Sequence, residues 1–142
     1  MRILGLDVGS KRIGIALSDP EGVLAIPLVV IEYRAEDSVY DKINGLAEQH
    51  NVKLIVVGMP RSLDGNLSKQ AGRISGFVSA LSERTGLPIE TWDERYSTVS
   101  ARKMMQEAGT KRTHRKKNID ALAATVILQS YLDAVYKDDL VI

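Results

Sequence analysis

Residues 53–57 (KLIVV) set four apolar side chains in an unbroken row and are closed by Gly58-Met59-Pro60. A β-strand points successive side chains to opposite faces, so an unbroken apolar run suits a strand covered on both sides. A strand of that kind needs a packed layer above and another below. That requirement selects a sheet with helices on both faces.

The flanking segments supply those layers. Residues 2–8 and 12–18 read as two strands joined by the turn Gly9-Ser10-Lys11, and Pro20-Glu21-Gly22 leads into a third strand over 23–33. Pro27 lies near the middle of that third strand and cannot donate to a ladder, which predicts an edge strand or a break. Residues 36–50 repeat Val39, Ile43, Leu46 and Ala47 at helical spacing, and residues 68–84 repeat Ala71, Ile74, Val78 and Leu81. Gly86 and Pro88 close the second helix, and 89–92 forms a short fifth strand. Ser97 or Thr98 caps a further helix running to about Ala108, and a last helix spans 118 to about Tyr136. The order β-β-β-α-β-α-β-α-α predicts one α/β domain over residues 1–142. Its sheet is five-stranded and mixed, with three antiparallel strands, then two parallel ones, and helices on both faces. No apolar stretch approaches the ~18 residues of a membrane span, and the first residues lead straight into a strand. The expectation is a soluble cytoplasmic protein with no membrane partner.

Three carboxylates stand where apolar or turn residues would suffice. Asp7 shares a strand face with Ile3 and Gly5, and Gly5 leaves room beside it. It either caps the turn at Gly9-Ser10 or serves a cation or ligand. Trp92-Asp93-Glu94-Arg95 follows the fifth strand, where ligand sites gather in open α/β sheets. Adjacent acids on an extended segment point opposite ways, so one of Asp93 and Glu94 faces any site there; Arg95 can pair with either. Asp120 lies in the first turn of the last helix, where an acid also suits the helix dipole. The alanines after it allow that helix to approach the sheet. Three acids on three elements make an oxygen-ligand set suited to Mg²⁺ or Mn²⁺, with two ions able to serve phosphodiester cleavage. Two histidines and no cysteine disfavour zinc and exclude disulfides.

The net charge of +1 conceals an asymmetry. Residues 111–117 (KRTHRKK) hold five of the 19 cations and no acid, leaving 14 cations against 18 acids elsewhere. Such a segment is either a solvated loop or a contact for a polyanion.

Four segments carry a family resemblance. Residues 6–19 (LDVGSKRIGIALSD) resemble the opening motif of the YqgF family, and Gly58-Met59-Pro60 with Asp64-Gly65 its second motif. Asp93-Glu94-Arg95-Tyr96-Ser97-Thr98 resembles the third, and Lys117-Asn118-Ile119-Asp120 with Ala123-Ala124 the last. Tyr96 departs from the Leu or Phe common at its position. The resemblance implies an RNase H-like fold related to the RuvC resolvases and a metal-dependent endonuclease using Mg²⁺ or Mn²⁺. It implies an acidic triad of Asp7, Glu94 and Asp120, with Asp93 the rival for the middle place. It also implies one of two substrates: four-way DNA junctions, or the 5′ end of the small-subunit ribosomal RNA precursor (pre-16S rRNA). Lys11, Arg12, Arg95, Arg115, Lys116 and Lys117 then become candidates for holding phosphates of the nucleic-acid partner. Gly9 either lets the backbone approach a ligand or simply makes the turn. His114, Arg61 and Ser62 read as loop and turn residues. Two other classes fit parts of the pattern. One is a non-catalytic nucleic-acid or ribosome-associated binding module. The other is an actin-like or sugar-kinase-type nucleotide-binding domain, which needs two such domains where 142 residues hold one. Monomer and dimer are equally compatible with the sequence.

Overall fold

The structure, a computed structural model, describes residues 1–34, 38–59, 67–94 and 117–140. Within these, the side chains of residues 67–71, 117–120 and 136–140 are left out of the description. The chain runs β1 (Arg2–Val8), β2 (Arg12–Ser18), β3 (Ala25–Glu32), α1 (Val39–Gln49), β4 (Val52–Met59), α2 (Leu67–Thr85), β5 (Ile89–Asp93) and α3 (Lys117–Leu140). The helix expected between Ser97 or Thr98 and Ala108 lies outside the described residues.

The five strands form one sheet in the order β3-β2-β1-β4-β5. β1, β2 and β3 pair antiparallel, whereas β4 runs parallel to β1 and β5 parallel to β4. The edge position of β3 accommodates Pro27. The register beside it slips, since Ile15 faces Val29 but Ala16 faces Pro27, while the strand runs unbroken from Ala25 to Glu32; the edge placement is met and the break is not. β3 begins two residues later than expected. The Asp19 carboxylate accepts from the N–H groups of Val23 (2.7 Å) and Leu24 (3.2 Å), and that turn removes them from the ladder. Asp19 is pulled below its ordinary pKa by these bonds.

Strand periodicity sorts the core into two layers. Leu4, Leu6, Ile13, Ile15, Ile55 and Val57 face α1 and α2 and pack on Val39, Ile43, Ile74, Phe77 and Leu81. Ile3, Ala16, Leu54 and Val56 face α3 and pack on Ala124, Ile127, Leu128 and Tyr131. α1 starts at Ser38, whose Oγ accepts from the Asp41 N–H at 3.2 Å. α2 ends at Gly86, which takes a left-handed φ of 69° and donates its N–H to the Ser82 carbonyl at 2.9 Å.

α3 lies unusually close to the sheet. A Cβ built on Gly5 would stand 2.7 Å from Leu128 Cβ and 3.3 Å from the Ala124 carbonyl oxygen. The space that Gly5 leaves is therefore filled by the helix. Two buried polar groups fix the helix laterally. Gln129 accepts from the Ala25 N–H at 2.8 Å and donates to the Val23 carbonyl at 3.0 Å. The indole Nε1 of Trp92 donates to Ser130 Oγ at 3.0 Å.

Candidate active site

The parallel strands β1, β4 and β5 all end at one edge of the sheet. Asp7 is the last but one residue of β1, half-buried, and pairs across to Gly14 of β2. Leu6 faces Val57, which brings Gly58 alongside Asp7, and Gly58 in turn faces Trp92. Alternation along β1 and β4 puts Asp7 and Gly58 on the α3 side of the sheet.

Glu94 directly follows β5. Its Oε1 lies 3.2 Å from the position a Gly58 Cβ would take, and Ile127 Cδ1 lies 2.5 Å from that same point. Glu94 thus reaches over Gly58 onto the face that carries Asp7. Burial, then the charge of Asp7, then that of Asp93 push the Glu94 carboxyl above its ordinary value. Asp93 faces Met59, which packs with the α1–α2 core, and Asp93 is itself buried. The two adjacent acids diverge as an extended segment requires, and Glu94 is the one brought toward Asp7.

α3 packs Leu128 and Ala124 against Gly5, two residues from Asp7 on the same face of β1. Asp120 precedes Ala124 by one turn and shares its stripe of the helix. Among the described residues no group of three His, Asp or Glu side chains comes together as a metal site, and Asp120's side chain is not among those described.

The basic candidates divide. Lys11, in the β1–β2 turn, and Arg12, which opens β2, are exposed three and four residues past the end of β1, at the same end of the sheet as Asp7. Arg95, Arg115 and Lys116 lie outside the described residues, as do Arg61, Ser62 and His114; Lys117 heads α3 with its side chain undescribed. Gly9 is accounted for by the turn. Its N–H donates to the Arg12 carbonyl at 3.0 Å, and a Cβ there would approach that oxygen to 2.8 Å.

Residue-by-residue reading missed what holds the site's two sides together. Trp92 stands two residues before Glu94 and is bonded to Ser130 of α3. Its ring meets Tyr131 edge-on at 5.4 Å, and the Tyr131 hydroxyl donates to Glu90 Oε2 at 2.6 Å. β5 and α3 are thereby clamped to each other. The signal lay in the two-residue step Glu90, Trp92, Glu94, which puts the clamp and the acid on one face.

The carboxylates of Asp7 and Glu94 thus meet at the C-terminal end of a mixed five-stranded sheet, and comparison with known proteins identifies the family. The profile of the RuvX family, described as Holliday junction resolvase, matches residues 1–134. The chain belongs to this family of nucleases, hydrolases of phosphodiester bonds. A protein of Clostridium kluyveri named "Putative pre-16S rRNA nuclease" is 44% identical over 137 residues, covering 96% of this chain and 100% of its own length. A protein of the same name from Desulforamulus reducens is 47% identical, covering 94% of this chain and 98% of its own. Among solved structures, RuvC of Thermus thermophilus in complex with a Holliday junction substrate aligns with a TM-score of 0.63 at 13% identity, over 96% of each chain. The fowlpox virus Holliday junction resolvase aligns at 0.56 and 11% identity, over 95% of this chain and 99% of its own. At those identities the structural likeness concerns the fold. Among the described residues no helix is long and apolar enough to cross a membrane.

Proposed function

We propose that Asp7, Glu94 and Asp120 are the catalytic acids of a divalent-metal-dependent endonuclease that trims the 5′ end of pre-16S rRNA. The observation that carries this is the Asp7–Glu94 pair. A carboxylate near the end of β1 and one just after β5 are held on one face of the sheet within electrostatic reach, in a partly buried setting where a cation would offset their mutual repulsion. The donors are oxygens only, which fits Mg²⁺ or Mn²⁺. Asp7 and Glu94 would hold the metal, with Asp120 completing the set. When bound, one or two such ions supply Lewis acidity at the scissile phosphate and lower the pKa of water.

The chain's own residues do the rest. Gly58 leaves the volume that Glu94 occupies, and the Trp92–Ser130 bond fixes the segment from which Glu94 projects. Lys11 and Arg12, beside Asp7, would hold phosphates of the backbone, with Arg95, Arg115, Lys116 and Lys117 as further contacts. RNA is favoured by the names of the full-length relatives at 44–47% identity. Four-way DNA junctions are the second reading, favoured by the family description. Purified protein assayed on a pre-16S 5′ precursor and on a four-way junction, with and without Mn²⁺, tests both. Metal-dependent cutting of the RNA is expected, and cutting of the junction alone would reverse the order. Binding of both without cutting would leave a nucleic-acid binding module.

A further inference from the structure

On the opposite face of β1 from Asp7 lies a second feature that the acid site does not use. Val8, next to Asp7 with its Cα about 3.8 Å away, lines a cavity of about 390 Å³ under the Gly9-Ser10 turn. That volume falls within the ~300–1,000 Å³ of small-ligand sites. Its walls are chemically specific. Tyr33 follows β3, Tyr40 stands in the first turn of α1, and Arg73 and Phe77 project from α2. Tyr40 and Phe77 rings meet at 5.2 Å, tilted by 45°. Tyr33 and Arg73 are exposed, and both Arg73 and Tyr40 act electrostatically on the Tyr33 phenol, so the groups share one rim. Burial, then the neighbouring Tyr40, raises the pKa of that phenol, against the lowering effect of Arg73.

We propose that this cavity holds an unpaired nucleobase of a single-stranded segment next to the scissile phosphate, stacked on the Tyr33 and Tyr40 rings, with buried Phe77 backing Tyr40 and Arg73 on the phosphate or π-face of the base. Aromatic faces accept any base, and a guanidinium adds charge and stacking, which is the pattern of single-strand platforms. The geometry suits a strand that crosses the sheet edge. Its phosphate would lie at Asp7 on one side of β1 and the adjoining base beneath Gly9-Ser10 on the other. A continuous duplex cannot place a base there without unpairing it. The proposal rests on the nuclease reading for its orientation and adds a substrate class to it, nucleic acid with a single-stranded flank.

Gly76 allows a test that keeps the fold. It lines the cavity from α2, and no atom lies within 4 Å of where its Cβ would be. Leu there fits the backbone, favours the helix and fills the cavity. Gly45 of α1 is equally open but lines no part of this cavity, so Gly45→Leu controls for the gain in helix propensity. Binding is measured by anisotropy in EDTA, with the full chain and three probes: a 12-nucleotide oligouridylate, an oligothymidylate of equal length and a 12-base-pair duplex. Gly76→Leu and Arg73→Gln should each weaken binding of the single strands about tenfold, leaving the duplex within about twofold, while Gly45→Leu matches wild type on all three. Unchanged single-strand affinity in Gly76→Leu would overturn the proposal. So would equal losses on strand and duplex, or saturation by uridine monophosphate with no gain from chain length. Cleavage by the wild type with Mn²⁺ is scored separately. Failure to cut would overturn the nuclease reading while a tenfold, strand-specific loss still supported the pocket.

Discussion

Glu94 Oε1 stands 3.2 Å from the point where a side chain on Gly58 would begin, with Ile127 Cδ1 at 2.5 Å from that point. A glycine near the C-terminal end of β4 thus makes room for an acid that follows β5 and for the helix above. Gly58→Ala should force the Ile127 side chain and the Glu94 carboxylate to move together. Overpacking of this kind costs about 1–3 kcal/mol. Urea unfolding should show that loss, and cleavage should fall by more than the unfolded fraction explains. Wild-type turnover in a destabilised Gly58→Ala protein would separate Gly58 from the site.

The Glu94 carboxyl has a definite pH signature. Its pKa is raised in the folded protein by burial, Asp7 and Asp93, against about 4.3 for an ordinary glutamate. Between those two values the unfolded chain has lost a proton that the folded chain keeps, so folding stability falls as pH rises through that window. Thermal melts in chelator should therefore show a decline above about pH 4.3 that flattens in Glu94→Gln. Adding Mg²⁺ or Mn²⁺ near neutral pH should raise the wild-type melting temperature and leave Glu94→Gln nearly unmoved. A pH profile identical in the two proteins would detach Glu94 from the acidic pair.

The β5–α3 clamp should position Glu94 without touching substrate. Ser130→Ala leaves the Trp92 indole N–H without its acceptor in a part-buried setting. That costs about 1–3 kcal/mol. The kcat should drop while KM stays near wild type, and Ser130→Thr should restore part of the loss. A change in stability with kcat intact would make the clamp purely structural.

Much of this architecture was legible because sheet residues obey a two-residue period. The double-sided strand β4, the hairpin β1–β2, the edge placement of Pro27 and the mixed strand order all follow from alternation and turn residues. α3 was legible as a helix but not in its depth. It is buried on almost every side from Ala121 to Leu132, so apolar spacing marks no single face. Gly5 read as room beside a carboxylate; the room belongs to Leu128. The start of β3 was misjudged because Asp19 captures the Val23 and Leu24 N–H groups, a local bond that hydropathy does not register. The choice between Asp93 and Glu94 was undecidable from adjacency alone. Which of the two lies toward Asp7 depends on strand register, which pairs Gly58 with Trp92 and so sets Glu94 over Gly58 on the α3 side.

The phosphate contacts have a thermodynamic signature. Lys11→Ala should weaken binding to duplexes of any sequence about equally and reduce the slope of log K against log salt by roughly 0.9. Changing Lys116 and Lys117 together to Ala should reduce it by about twice that. Superimposable salt titrations would make residues 111–117 an ordinary solvated loop.

The central claim is that Asp7 and Glu94 act as one metal-binding pair. The most direct measurement is the Mn²⁺ dependence of cleavage of a pre-16S 5′ precursor by wild type, Asp7→Asn, Glu94→Gln and Asp93→Asn, each first shown to be folded by its thermal melt. The account predicts cutting by wild type only when metal is present, and cutting that persists in Asp93→Asn. Asp7→Asn and Glu94→Gln should be inactive at every metal concentration, with metal-free stability equal to or above wild type. Full activity in Glu94→Gln, or wild-type cutting after exhaustive chelation, would contradict it.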